Sequence, residues 1–378
     1  MKTLYPIISI ICTFLLSFNI NAQSKIGSFM YNGVLRDYIV YKPTVNDGTK
    51  KVPLVLNLHG YTSYASQQQA YSEFDKVADT ANFIVVYPNG IANSWNSGWN
   101  VPYNSGTDDV GFLTALIDTL KSYYLIDENR IYSTGMSNGG FMSFRLACEL
   151  DDKIAAIASV TGLMSTGQTQ NCNPTRKVPV MFIHGTSDPS VAYSGSILSI
   201  SADSTLEYWK AKNGCNSFYV YTAVPNTNIT DGCTAERFLY NMCDDKSEVE
   251  FIKITNGGHT WPGASIIAGI TNQDFSGSGE IWKFFSKHKL NSTTTSIADV
   301  EQHKVVVFPN PASTFITIDS KGNNFSYQVV NNIGKVVLAG ISSKNNEQLD
   351  VSELSNGIYF LTISSNASFF SQKIVLNK

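Results

Sequence analysis

Gly135-Met136-Ser137-Asn138-Gly139 has the residue types and spacing of a nucleophilic serine. Residues 129–133 before it read as a short buried strand, and residues 140–147 after it read as the start of a helix. A serine on so sharp a strand-to-helix turn is lifted clear of the sheet, and the N–H of the next residue points at the same spot. Side chains two positions to either side would obstruct the turn, which is why glycines flank it. The pentapeptide alone is also compatible with an idle serine in a glycine-rich loop, so its partners must decide.

Such a serine needs an acid and then a histidine downstream, each at the end of a strand. The chain has five histidines: His59, His184, His259, His288 and His303. His288 falls in an expected surface helix and His303 in a polar stretch. His259 follows the strand-like run 249–254 and the glycines of Asn256-Gly257-Gly258, so it is the candidate base. Among the aspartates between Ser137 and His259, Asp188 alone comes just after an apolar strand, 178–183. Its expected role is to hold the His259 tautomer and stabilise the imidazolium. The bland alternative is a turn-forming aspartate before Pro189. A developing oxyanion would be held by the Asn138 N–H and by a second N–H from the loop after strand 52–58, that of Tyr61 or else Thr62. His59 is read as a brace for that loop.

These residues must be carried by alternating strands and helices. Asn32-Gly33 joins a hairpin of 29–31 and 35–41. Strands are expected at 52–58, 83–87, 130–133, 154–159, 178–183 and 249–254. Helices are expected at 110–124, 140–148, 202–212 and 278–288. This alternation implies a mainly parallel sheet with helices on both faces, its chemistry gathered at the strands' carboxyl ends. Asp108 and Asp109 open the first of these helices, where capping and dipole compensation explain at least one of them. A substrate contact is the alternative for the other. In the polar loop 93–100, Trp95 reads as part of a local mini-core. Trp99 is open between that role and a platform for sugar rings or aromatic acyl groups. Trp261, beside His259, is the expected pocket wall.

Six motifs occur in order: Leu58-His59-Gly60, Tyr87-Pro88-Asn89-Gly90, Asp108-Asp109-Val110-Gly111-Phe112, the serine motif with Gly140, His184-Gly185-Thr186-Ser187-Asp188, and Gly258-His259-Thr260-Trp261-Pro262-Gly263. Together they resemble esterases of the polyhydroxybutyrate-depolymerase type. That group overlaps the first carbohydrate esterase family of feruloyl and acetylxylan esterases. The resemblance runs from about residue 28 to 290. It implies an α/β-hydrolase fold and serine-dependent hydrolysis of a carboxylic ester through an acyl-enzyme, without metal or organic cofactor. Tyr61-Thr62-Ser63 stands where many members have a cysteine-containing loop, which leaves the second oxyanion donor open. By the same resemblance Cys148 pairs with Cys172 and Cys215 with Cys243, each bracketing a loop near the active face. Cys233 is left over. A zinc site is the rival use of the cysteines, but there is no Cys-x-x-Cys spacing.

Composition agrees. The 378 residues suggest two or three domains, 43% of them are hydrophobic, and a formal charge of −3 offers nothing to nucleic acid. No sustained apolar segment after the N-terminus is long enough to span a membrane. Residues 1–22 read as an export signal, with Lys2 at the head, a mostly apolar run to Phe18 and Ile20-Asn21-Ala22 before the cut. The esterase domain is expected over 23–290 and a polar linker over 291–298. An all-β domain of about seven short strands, a small sandwich, is expected over 299–378. Its blocks at 304–311, 332–337, 354–361 and 373–378 resemble the C-terminal sorting domain of the type IX (Por) secretion system. A carbohydrate-binding module is the alternative, but the segment has no tryptophan and only Tyr327 and Tyr359. The reading is a secreted serine esterase, passing through the periplasm to the cell surface or medium. Feruloyl or acetyl esters of plant polysaccharide are its first expected substrate and polyhydroxybutyrate its second. An exported acyl peptidase and a non-catalytic polysaccharide-binding scaffold rank below these.

Overall fold

The computed structural model describes residues 23–98, 104, 106–290, 306–319, 325–331, 335–344, 346–365 and 368–378. The export signal, the linker and Trp99 therefore lie outside the described residues. The chain divides into two compact units, with the boundary between Ser292 and Thr293.

The first unit opens with the hairpin of β1 (Gln23–Tyr31) and β2 (Val34–Lys42), turning at Asn32-Gly33, both with positive φ. Then come β3 (Val52–Leu58), α1 (Ala65–Ser72), α2 (Phe74–Ala81), β4 (Ile84–Pro88) and α3 (Asp109–Tyr123). After these follow β5 (Ile126–Met136), α4 (Asn138–Glu149), β6 (Ala156–Val160), α5 (Thr166–Asn171), β7 (Val180–Gly185) and α6 (Ala202–Lys212). The unit closes with β8 (Val220–Ala223), β9 (Thr234–Tyr240), β10 (Val249–Thr255) and α7 (Gly277–Phe285). The strands form one ten-stranded sheet in the order β1-β2-β4-β3-β5-β6-β7-β10-β9-β8. The inner six, from β4 to β10, pair in parallel, and the two strands at each edge pair antiparallel.

Every residue of β3, β4, β6 and β7 is buried, as continuous apolar runs require when helices cover both faces of a sheet. Two cores result, one on each face. One gathers around Leu56, Phe112, Phe141, Phe182 and Trp209, the other around Val55, Tyr87, Tyr132, Ile252 and Phe284. Asp108 caps α3 by accepting the Gly111 N–H at 2.9 Å. Asp109 is fully buried, paired with Arg36 at 2.8 Å and bonded by the Asn96 N–H. Both aspartates are thus engaged in the fold, and the substrate-contact alternative for Asp109 falls away because its carboxylate has no route to the cleft.

The helices α1, α2 and α5 and the antiparallel pair β8–β9 are additions to the sequence expectation. The helix α1 reads ASQQQAYS, with no apolar stripe to mark it. It forms because its Ala65 and Gln68 bury against the sheet and Ala65 N–H is capped by Asn89 Oδ1 at 2.7 Å.

Among the described residues the second unit has seven strands, against about seven expected, in two antiparallel sheets. One is β11 (Val306–Phe308), β12 (Phe315–Asp319) and β15 (Asn346–Asp350). The other is β14 (Val336–Ser342), β13 (Phe325–Asn331), β16 (Gly357–Ser365) and β17 (Ser368–Leu376). Alternate residues such as Ile316, Ile318, Val329 and Leu361 point into its own core.

Candidate active site

Ser137 directly follows β5, the strand flanked by β3 and β6, and has φ 53° and ψ −118°. A non-glycine residue in that region stores backbone strain of about 1–3 kcal/mol. The surroundings impose it: the Ser137 N–H donates to the Val160 carbonyl at 2.8 Å, and the Ser137 carbonyl accepts from Phe141 at 2.9 Å. A side chain could not replace either flanking glycine. A Cβ at Gly135 would lie 2.6 Å from the Leu58 carbonyl oxygen, and one at Gly139 only 2.2 Å from it.

Asp188 and His259 stand at the carboxyl ends of the neighbouring parallel strands β7 and β10. His259 Nδ1 and Asp188 Oδ2 are 2.8 Å apart. An ionised carboxylate only accepts, so Nδ1 carries the hydrogen and Nε2 has its lone pair available. The other Asp188 oxygen accepts the N–H groups of Ser190 and Val191, each at 2.8 Å. Burial pushes the Asp188 pKa up, but the bond from His259 and the Val191 N–H outweigh it and hold the carboxyl below its ordinary range.

Ser137 and His259 line the same pocket of about 480 Å³, together with Gly60, Tyr61, Met136 and Tyr71. The loop after β3 passes directly over the serine: a Cβ at Gly60 would be 3.5 Å from the Ser137 Cβ. Thr62 N–H is committed to the Asn93 carbonyl at 2.9 Å, which removes it as a second donor. Asn138 is the first residue of α4, where N–H groups have no intrahelical acceptor. Its buried side chain accepts the Trp95 N–H at 2.7 Å and donates to Ser97 Oγ at 3.1 Å, fixing the turn.

His59 is fully buried and braces this loop, as expected. Its Nε2 accepts the Gly90 N–H at 2.9 Å, so Nδ1 carries the hydrogen and donates to the Gly60 carbonyl at 2.7 Å. Burial lowers its pKa to about 4, keeping it neutral. Trp95 lies in the core, its indole N–H on the His59 carbonyl at 3.0 Å.

Trp261 is placed differently from the expected pocket wall. It is 1% exposed, packs in the core and donates its indole N–H to Ser278 Oγ at 3.1 Å. Its backbone N–H donates to the Tyr71 hydroxyl at 3.0 Å, and Tyr71 is the residue that faces the pocket. Two residues escaped sequence reasoning. One is Tyr71, on a helix without a pattern. The other is His184, fully buried with Nε2 3.7 Å from Asp188 Oδ2 and donating to the Val191 carbonyl at 2.8 Å. A histidine four residues before the acid, at a strand end, was the available signal for the second.

Cys148 is bonded to Cys172 and Cys215 to Cys243. Neither bond borders the active face. Cys148 is eleven residues along α4 from Ser137, roughly 16 Å at the helical rise. Cys243 precedes the start of β10, whereas His259 follows its end. Cys233 is unpaired and buried, and burial pushes its thiol up to about 11, so little thiolate exists at neutral pH. Among the described residues there is no cluster of side chains suited to a metal ion, and no helix is long and apolar enough to cross a membrane.

Comparison with known proteins finds similarity to esterases. Residues 36–201 match the family described as esterase PHB depolymerase, and residues 306–377 match the secretion system C-terminal sorting domain. Over 70% of its length it is 29% identical to a bifunctional acetylxylan esterase/xylanase of Neocallimastix patriciarum, covering 35% of that protein. Over 59% of its length it is 31% identical to feruloyl esterase B of Piromyces equi, covering 42% of that one. The chain thus spans less than half the length of these two relatives. A solved acetyl xylan esterase from Aspergillus awamori superposes with a TM-score of 0.47 at 17% identity, covering 62% of this chain and 94% of that one.

Proposed function

We propose that this chain is a secreted serine esterase with Ser137, His259 and Asp188 as its catalytic residues. The observation that carries the reading is the 2.8 Å His259–Asp188 bond at the edge of a pocket that also holds the strained Ser137. Ser137 Oγ attacks the ester carbonyl while His259 Nε2 takes its proton. The carbonyl oxygen, now negative, is held by the N–H groups of Asn138 and Tyr61. Collapse expels the alcohol, which receives the proton from His259 and leaves Ser137 acylated. Water, deprotonated by His259, then attacks the acyl-enzyme and releases the acid. Asp188 keeps the imidazole in the required tautomer and stabilises its charged form.

Feruloyl or acetyl esters of plant polysaccharide are the first substrate reading, supported by the names of the two relatives. Polyhydroxybutyrate is the second, supported by the family description and by a pocket mouth without charged side chains. The non-catalytic scaffold ranks last, because it predicts a missing catalytic member and none is missing. The tail from about residue 299 engages the type IX secretion machinery after the signal 1–22 has delivered the chain to the periplasm. One panel tests the reading: dissolved nitrophenyl esters, methyl ferulate, acetylated xylan and amorphous polyhydroxybutyrate. Turnover of methyl ferulate or acetylated xylan is expected to exceed clearing of the polymer. No turnover of any of the four, with Ser137 unreactive to an organophosphate, overturns the enzyme.

A further inference from the structure

Behind the candidate acid lies a second histidine that the proposed reaction does not use. His184 is the fifth residue of β7 and is fully buried. Its Nε2 is 2.8 Å from the Val191 carbonyl oxygen and 3.7 Å from Asp188 Oδ2. A carbonyl only accepts, so Nε2 carries the ring hydrogen. Nδ1 is buried and has no hydrogen-bond partner among the described residues. A second proton placed there would find no acceptor, and burial lowers the His184 pKa against the opposing pull of Asp188. The ring is therefore neutral. Its titratable neighbours include Asp188, His259 beyond it, and Tyr193, whose ring centre is 6.2 Å away and whose hydroxyl donates to Asp203 at 2.6 Å. Lys253, opposite His184 in the pairing of β7 with β10, reaches over the Tyr193 ring at 6.0 Å.

One residue links this ring to the acid. Val191 gives its N–H to Asp188 Oδ1 at 2.8 Å and its carbonyl to His184. Ser190 gives a second N–H to the same carboxylate oxygen, also at 2.8 Å. With Oδ1 held by two donors, Oδ2 is the oxygen that meets His259 Nδ1 at 2.8 Å. A carboxylate on a short turn can rotate, so its direction depends on where the two N–H groups sit. The Val191 end of that turn is tied by His184 to β7, an inner strand between β6 and β10. We propose that His184 is a positioning residue for the acid: by anchoring Val191 to the sheet, it keeps Asp188 Oδ2 aimed at His259. The inference rests on the esterase reading above and adds a side chain to it. A neutral ring suits this task. An imidazolium beside Asp188 would compete with His259 for the carboxylate, whereas a hydrogen donated to the Val191 carbonyl leaves Oδ2 to the base.

Three substitutions in the full chain test this on a dissolved nitrophenyl ester. His184→Phe keeps a ring in place and removes the Nε2 hydrogen. It should lower kcat by about ten- to a hundred-fold with KM nearly unchanged, since a misdirected base costs rate rather than binding. The rise of kcat/KM with pH should move down by about half a pH unit, because a loosened Asp188 stabilises the His259 imidazolium less. His184→Gln puts an amide N–H where Nε2 stood and should bring kcat back to within about threefold of the parent. In an Asp188→Asn background His184→Phe should add less than about a twofold loss, because the group it acts through is already gone. Near-UV circular dichroism reports the fold of each variant. Should the Phe variant not fold, His184→Asn replaces it, its amide one methylene short of the Val191 carbonyl. A folded Phe or Asn variant with parent kcat and an unmoved pH profile would overturn the role. So would equal losses in that variant and in His184→Gln, or the full loss repeated on top of Asp188→Asn. Failure of the esterase reading shows separately, as no turnover of the ester by the unsubstituted chain.

Discussion

At the residue scale the site rests on a few atoms whose removal has calculable effects. Ser137→Ala removes the nucleophile and relieves backbone strain in the folded state only slightly, so the variant should melt like the parent. Its kcat on a nitrophenyl ester should fall by on the order of 10⁴-fold or more. Asp188→Asn can present an amide N–H to His259 Nδ1, which turns the imidazole to the wrong tautomer, and a comparable loss is expected. A tenth of the parent activity in either variant would exclude the assigned roles. His59 gives a pH prediction. Its pKa is about 4 when folded and about 6.5 when unfolded. Between those values the unfolded chain binds the extra proton, so stability is greatest above pH 6.5 and declines as pH falls toward 4. The decline amounts to something on the order of 3 kcal/mol from this residue, because it is fully buried. Denaturant titrations from pH 7 to 4 should show a shallower pH slope for His59→Gln, by about one proton. An unchanged slope would show that His59 is not held neutral by burial.

At the element scale the proposed base is positioned from an unexpected direction. The helix α1 and the turn after it hold the segment that carries His259 through three contacts. Tyr71 takes the Trp261 N–H, Ser278 Oγ bridges the Trp261 indole to the Ser72 carbonyl, and Glu73 takes the Ser265 hydroxyl. His259 lies two residues from the first of these. Tyr71→Phe leaves the Trp261 N–H unpartnered at a cost of about 1–3 kcal/mol in stability. It should also lower kcat several-fold more than it raises KM on a small dissolved ester, because the ring still lines the pocket. Kinetics at saturating substrate with a parallel denaturation curve checks this; loss of stability with kcat unaltered would reduce Tyr71 to a packing residue. The disulfides belong to this scale as well. By their position at the far end of the sheet they tie α4 to the segment before β7 and α6 to β9, away from the chemistry.

At the scale of the whole molecule, the two compact units support a chain that works without its tail. A protein ending at Leu290 should fold and hydrolyse dissolved esters at the full rate. The cut cannot come much earlier: Leu290 is buried, its N–H donates to the Asn129 carbonyl at 2.8 Å, and the His288 carbonyl accepts from Tyr132 at 2.6 Å. In the native host the same truncated protein should remain in the periplasm, measured by fractionation and activity in the medium. Its normal release would remove the proposed role of the tail.

What the sequence by itself determined was local in origin. The turn glycines around Ser137 follow from a steric demand at one point of the backbone. The apolar strand runs that precede Asp188 and His259, and the alternating pattern of the tail, follow from short-range periodicity. The two cysteine pairings came from family resemblance and stand in the structure. The tertiary structure alone decided what depends on packing between distant segments. Trp261 turned inward because the indole finds Ser278 and an apolar core, which proximity to His259 in sequence cannot reveal. Thr62 lost its candidacy to the carbonyl of Asn93, thirty-one residues on. The helix α1, without an apolar stripe, exists because the sheet beside it offers burial and Asn89 caps it. The outward placement of Ile266, Ile267 and Ile270 is likewise invisible in one dimension, since isoleucines just past a buried strand are ordinarily core residues, and only the fold leaves these in water.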